Sequence, residues 1–388
     1  MSTREKKEPL RFSSLRLKNW KNFADIDVAL QNRVFLVGPN ASGKSNFLDA
    51  FRFLRDLTSP SGGFQEAIRR RGGVSAIRCL AARRYPDIEI QVDIESCQPE
   101  TRWRYELAFN QDKQRRPSIR SEKVVRDEEV LVQRPNKDDQ EDPARLTQTY
   151  LEQVNVNRPF RQLVSFFQSI QYLHIVPQLV REPDRSVGRL HDPFGGDFLE
   201  QIAKTPTRTR VARLARIQRA LQVAVPQLAA IELKRDERGS PHLRGKYQHW
   251  RPQGAWQTEE QFSDGTLRLL GLLWVVMEGD GPVLLEEPEL SLHSEVVRYL
   301  PQMFARVQRR TGRQIILSTH SPDLLRDEGI GLDEVLLLFP RDEGTDVRPA
   351  AQFAEIQELL EGGLTLADVV GPQTRPDGAE QLSLFGSL

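Results

Sequence analysis

Eight residues, Gly38-Pro39-Asn40-Ala41-Ser42-Gly43-Lys44-Ser45, restrict this chain more than any other part of it. They follow Val34 to Val37, an apolar run that reads as a buried strand. They precede Phe47, Leu48, Phe51 and Leu54, which recur at the three- and four-residue spacing of a helix face and end at Ser59-Pro60-Ser61-Gly62-Gly63. The pattern GxxxxGK[ST] between a strand and a helix is a phosphate cradle. Glycines let backbone amides wrap the phosphates, and the helix N-terminus adds its positive dipole end. Lys44 is expected to reach the β/γ-phosphates of ATP, and Ser45 to ligate Mg2+, with Asn46 in the same contact set. A glycine turn that spells the pattern by chance is the competing reading.

Composition narrows the setting. With 388 residues the chain can bury a large core as one elaborated domain or two. Only two cysteines, Cys79 and Cys97, are present, and no apolar leader is visible, which points to the cytoplasm. The longest apolar stretch, Leu267 to Met277, is too short for a membrane span. Lysine plus arginine (55) nearly cancels aspartate plus glutamate (54), so attraction to nucleic acid has to come from local patches.

Alternating runs Ile88/Ile90/Val92/Ile94 and Trp103/Tyr105/Leu107/Phe109 predict a sheet with one wet face. Residues Gln133 to Arg145 read as a polar loop, and a mainly helical stretch follows. Beyond Gln261, helix, strand, helix and strand alternate, which implies a parallel core sheet covered by helices. The expected divisions are 1–140 and 241–350 as two halves of one α/β head, 141–240 as a mainly helical insertion, and 351–388 as a tail.

Two further clusters carry chemistry. Val283-Leu284-Leu285-Glu286-Glu287-Pro288-Glu289 is a buried strand that delivers acids to a sheet edge, with Glu286 expected to order the Mg2+ shell and Glu287 to act as general base. Thr319-His320-Ser321 follows the strand Ile315 to Leu317, so His320 comes to the same edge, where it either senses the γ-phosphate or is merely structural.

The order GPNASGKS, FSDGT (Phe262 to Thr266), LLEEPELSLH (Leu284 to His293) and LSTHSP (Leu317 to Pro322) resembles the ABC-type P-loop ATPase heads of RecF, SMC and OLD-like proteins. The likeness covers roughly residues 10–60 and 255–340. It implies a Walker A at Gly38 to Ser45, a signature at Ser263-Asp264-Gly265-Thr266, a Walker B ending in Glu286, a catalytic Glu287, a D-loop near Leu290 to His293 and a switch histidine at His320. It also implies a head-to-tail dimer in which Ser263 and Gly265 meet the other subunit's ATP. The chain departs from the family in two places: SDGT replaces the transporters' LSGGQ, and Glu286 stands where Asp is usual. No acidic strand cluster follows Phe339, so a nuclease effector is expected on a separately encoded chain.

Arg210, Arg213, Arg216 and Arg219 recur on a helix with an apolar stripe of Leu214, Ile217 and Leu221, and could track DNA phosphates or simply be solvated. Arg69-Arg70-Arg71 and Arg83-Arg84 add basic character. Gln381-Leu382-Ser383-Leu384-Phe385 resembles the peptide by which bacterial polymerases and repair proteins dock on the DNA sliding clamp. Three readings stay open: a nucleotide-driven switch in anti-phage defence, a repair or replication accessory recruited to the clamp, and a nucleotide-gated scaffold that does not touch DNA.

Overall fold

A computed structural model describes residues 9–82, 86–97, 100–182, 192, 194–248, 255–373 and 381. Its strands are β1 (Arg11–Trp20), β2 (Phe23–Ala29), β3 (Arg33–Val37), β4 (Ile88–Cys97), β5 (Glu100–Gln111), β6 (Pro117–Arg126) and β7 (Glu129–Arg134) in the first part of the chain. They continue as β8 (Gln171–Leu173), β9 (Leu228–Arg235), β10 (Pro241–Tyr247), β11 (Ala255–Thr258), β12 (Val283–Glu286), β13 (Ile315–Thr319), β14 (Val335–Arg341) and β15 (Gly344–Pro349).

Three sheets result. The core sheet runs β15-β14-β3-β13-β12-β8, with β14, β3, β13, β12 and β8 parallel and β15 antiparallel at one edge. An antiparallel sheet of order β2-β1-β4-β5-β6-β7 lies on one side, and a three-stranded sheet, β11-β10-β9, completes the set. The core strands bury both faces, which is why they read as continuous apolar runs. Val34, Leu284, Ile316 and Leu336 join the core shared with the helix Lys44–Thr58 and the antiparallel sheet. Phe35, Leu285, Leu317 and Leu337 join the opposite core, packed with the helices Asp264–Met277 and Leu300–Thr311.

The helix after the phosphate loop buries Phe47, Leu48, Phe51, Phe53 and Leu54 completely, each contributing about 1.5–3 kcal/mol through removal from water. The two alternating runs are neighbouring antiparallel strands, with Ile90 paired to Leu107, Val92 to Tyr105 and Ile94 to Trp103.

The segment expected to be a polar loop is more ordered than its composition suggests. Arg134 is buried beneath it, paired with Glu122 at 3.0 Å and Asp139 at 2.8 Å, and its guanidinium lies 4.0 Å from the Tyr150 ring. A capping box between Asn136 and Asp139 starts the short helix Lys137–Glu141. The 141–240 stretch is not purely helical either. It supplies β8, the edge strand of the core sheet, and all of β9. Three apolar-to-neutral residues are too short a run to separate β8 from helix by periodicity. Among the described residues no helix is long and apolar enough to cross a membrane.

Candidate active site

The parallel strands β3, β12 and β13 end at one edge, where Lys44, Ser45, Glu286, Glu287 and His320 come together. The loop from Gly38 to Ser45 leaves β3 and enters the helix Lys44–Thr58 through Gly43, whose φ of 99° lies in the left-handed region that favours glycine. A Cβ at Gly43 would stand 2.1 Å from Asn22 Nδ2, so the loop is clamped as well as turned. Asn22 donates to Ser42 O at 2.9 Å and to Thr345 Oγ1 at 2.7 Å, and accepts from Asn46 Nδ2 at 2.7 Å. Asn46 therefore holds the loop's brace. Asn22 lies outside any motif, and nothing in the sequence singles it out.

Lys44 is buried and folds back over the loop, donating to Gly38 O and Pro39 O at 3.0 Å each. Burial pulls its pKa down to about 8, against the attraction of Glu287, Glu286 and Glu289. A phosphate would supply the negative partner that the loop carbonyls only imitate. Asn40 and Ala41 are exposed at the loop's crest, and Ser42 is buried beneath it.

Ser45 opens the helix, and its hydroxyl donates to Glu286 Oε1 at the end of β12. The other oxygen of Glu286 accepts from the Tyr172 hydroxyl on β8. A hydroxyl and a carboxylate are hard oxygen donors of the kind Mg2+ takes. Among the described residues no cluster of three or more His, Cys, Asp or Glu could hold a metal alone. A cation at Ser45 and Glu286 would thus need phosphate oxygens and water to complete its shell, which is how Mg2+ is usually held beside a nucleotide. The wrapped loop, the buried lysine and this oxygen pair fit ATP with Mg2+.

Glu287 follows immediately, with φ 44°, a left-handed conformation that a glutamate adopts only when its surroundings impose it. Its amide donates to Ser318 O at 3.1 Å and Ser318 Oγ at 3.2 Å on β13, which fixes the turn. The carboxylate leaves the sheet edge and meets His320, with Oε1 3.2 Å from Nε2. The His320 hydrogen bond holds the Glu287 carboxyl below the usual range against the cost of burial, helped by the charges of His320, Lys44 and His174.

Glu289 has a different place. It is buried, accepts from Thr319 Oγ1 at 2.5 Å and from the His320 amide at 3.1 Å, and braces the backbone that carries the histidine. Burial raises its pKa, and with Oε1 taken by Thr319 and the His320 amide it serves as a brace for the histidine-bearing backbone. His174, at the end of β8, has a buried Nδ1 without a partner and lies close enough to influence Glu287. The sequence offered no spacing by which to find it.

The segment Ser263 to Thr266 begins the helix Asp264–Met277. Ser263 is exposed and caps the helix by accepting from the Thr266 amide at 3.2 Å. Arg181 anchors this start, donating to Phe262 O at 2.7 Å and Asp264 Oδ1 at 2.6 Å. Gly265 is needed by the chain's own packing, since a Cβ there would meet Ser291 O at 2.4 Å. A large residue at position 265 would therefore disturb this chain before it met any partner. Gln171 accepts from Arg313 at 2.9 Å and Gln168 donates to Thr58 O at 2.6 Å, so both are committed to the fold.

The expected basic surfaces are smaller than their sequences imply. On the helix Thr207–Ala224, Arg210 donates to Ala203 O at 2.9 Å, and Arg213 pairs with Glu278 at 3.4 Å and stacks over Trp274 at 5.3 Å. Arg216 and Arg219 remain exposed. Arg69 and Arg70 pair with Glu66, and Arg71 is buried between Asp49 and Asp56. Arg83 and Arg84 lie outside the described residues, as does the Gln381 to Phe385 peptide apart from Gln381.

Residues 33–326 match the family described as "AAA domain, putative AbiEii toxin, Type IV TA system". The chain belongs to this family. The AAA family match, the order of motifs and the fold place it among P-loop ATPases of the RecF, SMC and OLD-like class. Endonuclease GajA of Bacillus cereus (strain VD045) is 38% identical over 58 residues, 15% of this chain and 10% of GajA. The chain thus spans about a tenth of that relative's length. Two solved SMC heads share the AAA chain's fold. One, bound to the C-winged helix domain of ScpA, gives a TM-score of 0.53 at 13% identity over 87% of this chain and 96% of its own. The other, from Pyrococcus furiosus and bound to the C-terminal domain of ScpA, gives 0.50 at 11% identity over 91% of this chain and all of its own.

Proposed function

We propose that the chain binds and hydrolyses ATP with Mg2+, and that two copies close head to tail around two nucleotides as a switch acting on DNA or a separately encoded effector. The convergence of Lys44, Ser45, Glu286, Glu287 and His320 on one sheet edge carries this reading. The loop amides of residues 38–45 and the Lys44 ammonium bind the phosphates, Ser45 and Glu286 hold the cation, and Glu287 takes the proton of the attacking water. Bound Mg2+ would neutralise charge on the phosphates. His320 orients the Glu287 carboxylate and sits where a γ-phosphate would be felt.

Ser263, which is exposed, and Gly265, which is half-buried, lie at a helix start, and in the dimer they would offer that end to the partner's nucleotide. In this reading the switch serves anti-phage defence with a nuclease effector on another chain, and the short likeness to a relative named as an endonuclease supports only the link to a nuclease. A test uses two defective variants. Lys44→Ala loses its own phosphate loop, and Ser263→Arg obstructs the exposed signature end without the internal clash expected at Gly265. Mixed together they should regain part of the wild-type ATPase rate, because a heterodimer holds one intact composite site. Absence of rescue while heterodimers form would rule out sites shared between chains.

A further inference from the structure

Glutamate at position 286 has one more methylene than the usual aspartate, so its carboxylate can sweep a wider arc. In this structure that freedom is removed. Ser45 donates to one oxygen and Tyr172 to the other. Parallel pairing sets Tyr172 opposite Leu284, and the two-residue period of the strand puts Leu284 and Glu286 on the face that also carries Tyr172. The tyrosine ring is held in turn. The Arg52 guanidinium lies 4.3 Å from its centroid, and Arg52 is steadied by Asp49 at 3.6 Å. Both belong to the helix that Ser45 begins, so one helix fixes the tyrosine and supplies the neighbouring hydroxyl.

We propose that Tyr172 is a positioning residue, which holds the distal oxygen of Glu286 and leaves Oε1 beside the Ser45 hydroxyl for a divalent cation. The inference rests on Ser45 and Glu286 being the cation's protein ligands. Partners that orient a ligand carboxylate commonly alter metal affinity on the order of ten-fold or more when removed.

The test is equilibrium binding of a fluorescent ATP analogue across a Mg2+ titration, for wild type, Tyr172→Phe, Glu286→Asp, the double variant and Glu286→Gln. Phenylalanine keeps the ring beneath Arg52, and thermal melting without ligand checks that the fold is retained. Tyr172→Phe should raise the Mg2+ needed for half-maximal binding on the order of ten-fold. In the Glu286→Asp background the shorter arm no longer reaches the tyrosine, so Tyr172→Phe should add nothing. An unshifted Tyr172→Phe beside a shifted Glu286→Gln would overturn the positioning role. Equal and additive shifts in both backgrounds would also overturn it. If Glu286→Gln itself leaves the Mg2+ titration unchanged, the assignment of Glu286 to the cation fails first.

Discussion

Glu287 Oε1 and His320 Nε2 stand 3.2 Å apart across the end of the core sheet, joining the acid-bearing strand β12 to its neighbour β13. The contact lowers the carboxyl's pKa and so favours the ionised form that the proposed general base requires. Its removal has a signed consequence. The histidine lowers the carboxyl's pKa, so losing it raises that value and the base is lost at a higher pH. His320→Ala should shift the acid limb of the ATPase rate profile toward neutral pH and lower the plateau. An unmoved acid limb would show that the histidine does not tune Glu287.

Arg134 tests the fold apart from the chemistry. Arg134→Met fills much of the same space but strands Glu122 and Asp139 without their cation. Breaking a buried pair on one side costs about 3–5 kcal/mol. The variant should melt well below wild type, and its folded fraction should bind ATP normally. A wild-type melting temperature would show that the two acids find other partners.

Much of this architecture was legible because each motif came with its own structural context. The run Val34 to Val37 leads into glycine, the Phe47/Leu48/Phe51/Leu54 spacing defines a helix, and Leu284 to Glu289 brings acids to a strand end. The strand β8 was missed because three residues carry no readable period. Tyr172, His174, Arg181 and Asn22 were missed for a related reason: each acts across the fold, at 20 to more than 100 residues from its partner, where sequence spacing says nothing. The arginine clusters misled in the opposite direction. A list of cations does not disclose the acids that neutralise them, and Arg71 and Arg213 turn inward to Asp49 and Glu278.

That distinction gives a test of nucleic-acid contact. Arg216 and Arg219 are exposed, whereas Arg210 and Arg213 serve the chain's own packing. If the helix meets DNA, Arg216→Ala with Arg219→Ala should weaken binding to all sequences alike and reduce the salt slope by about two, one for each phosphate contact. Arg213→Ala should instead lower stability. An unchanged salt slope in the double variant would leave this helix as a solvated surface.

The central claim is that Lys44 and Glu287 serve the two halves of one reaction, and the direct measurement is ATP binding and single-turnover hydrolysis on the same preparations. Lys44→Ala should lose tight ATP binding. Glu287→Gln should bind ATP as wild type does and hydrolyse it at least about 100-fold more slowly, the usual contribution of a positioned base. Hydrolysis by Glu287→Gln at the wild-type rate would contradict the account.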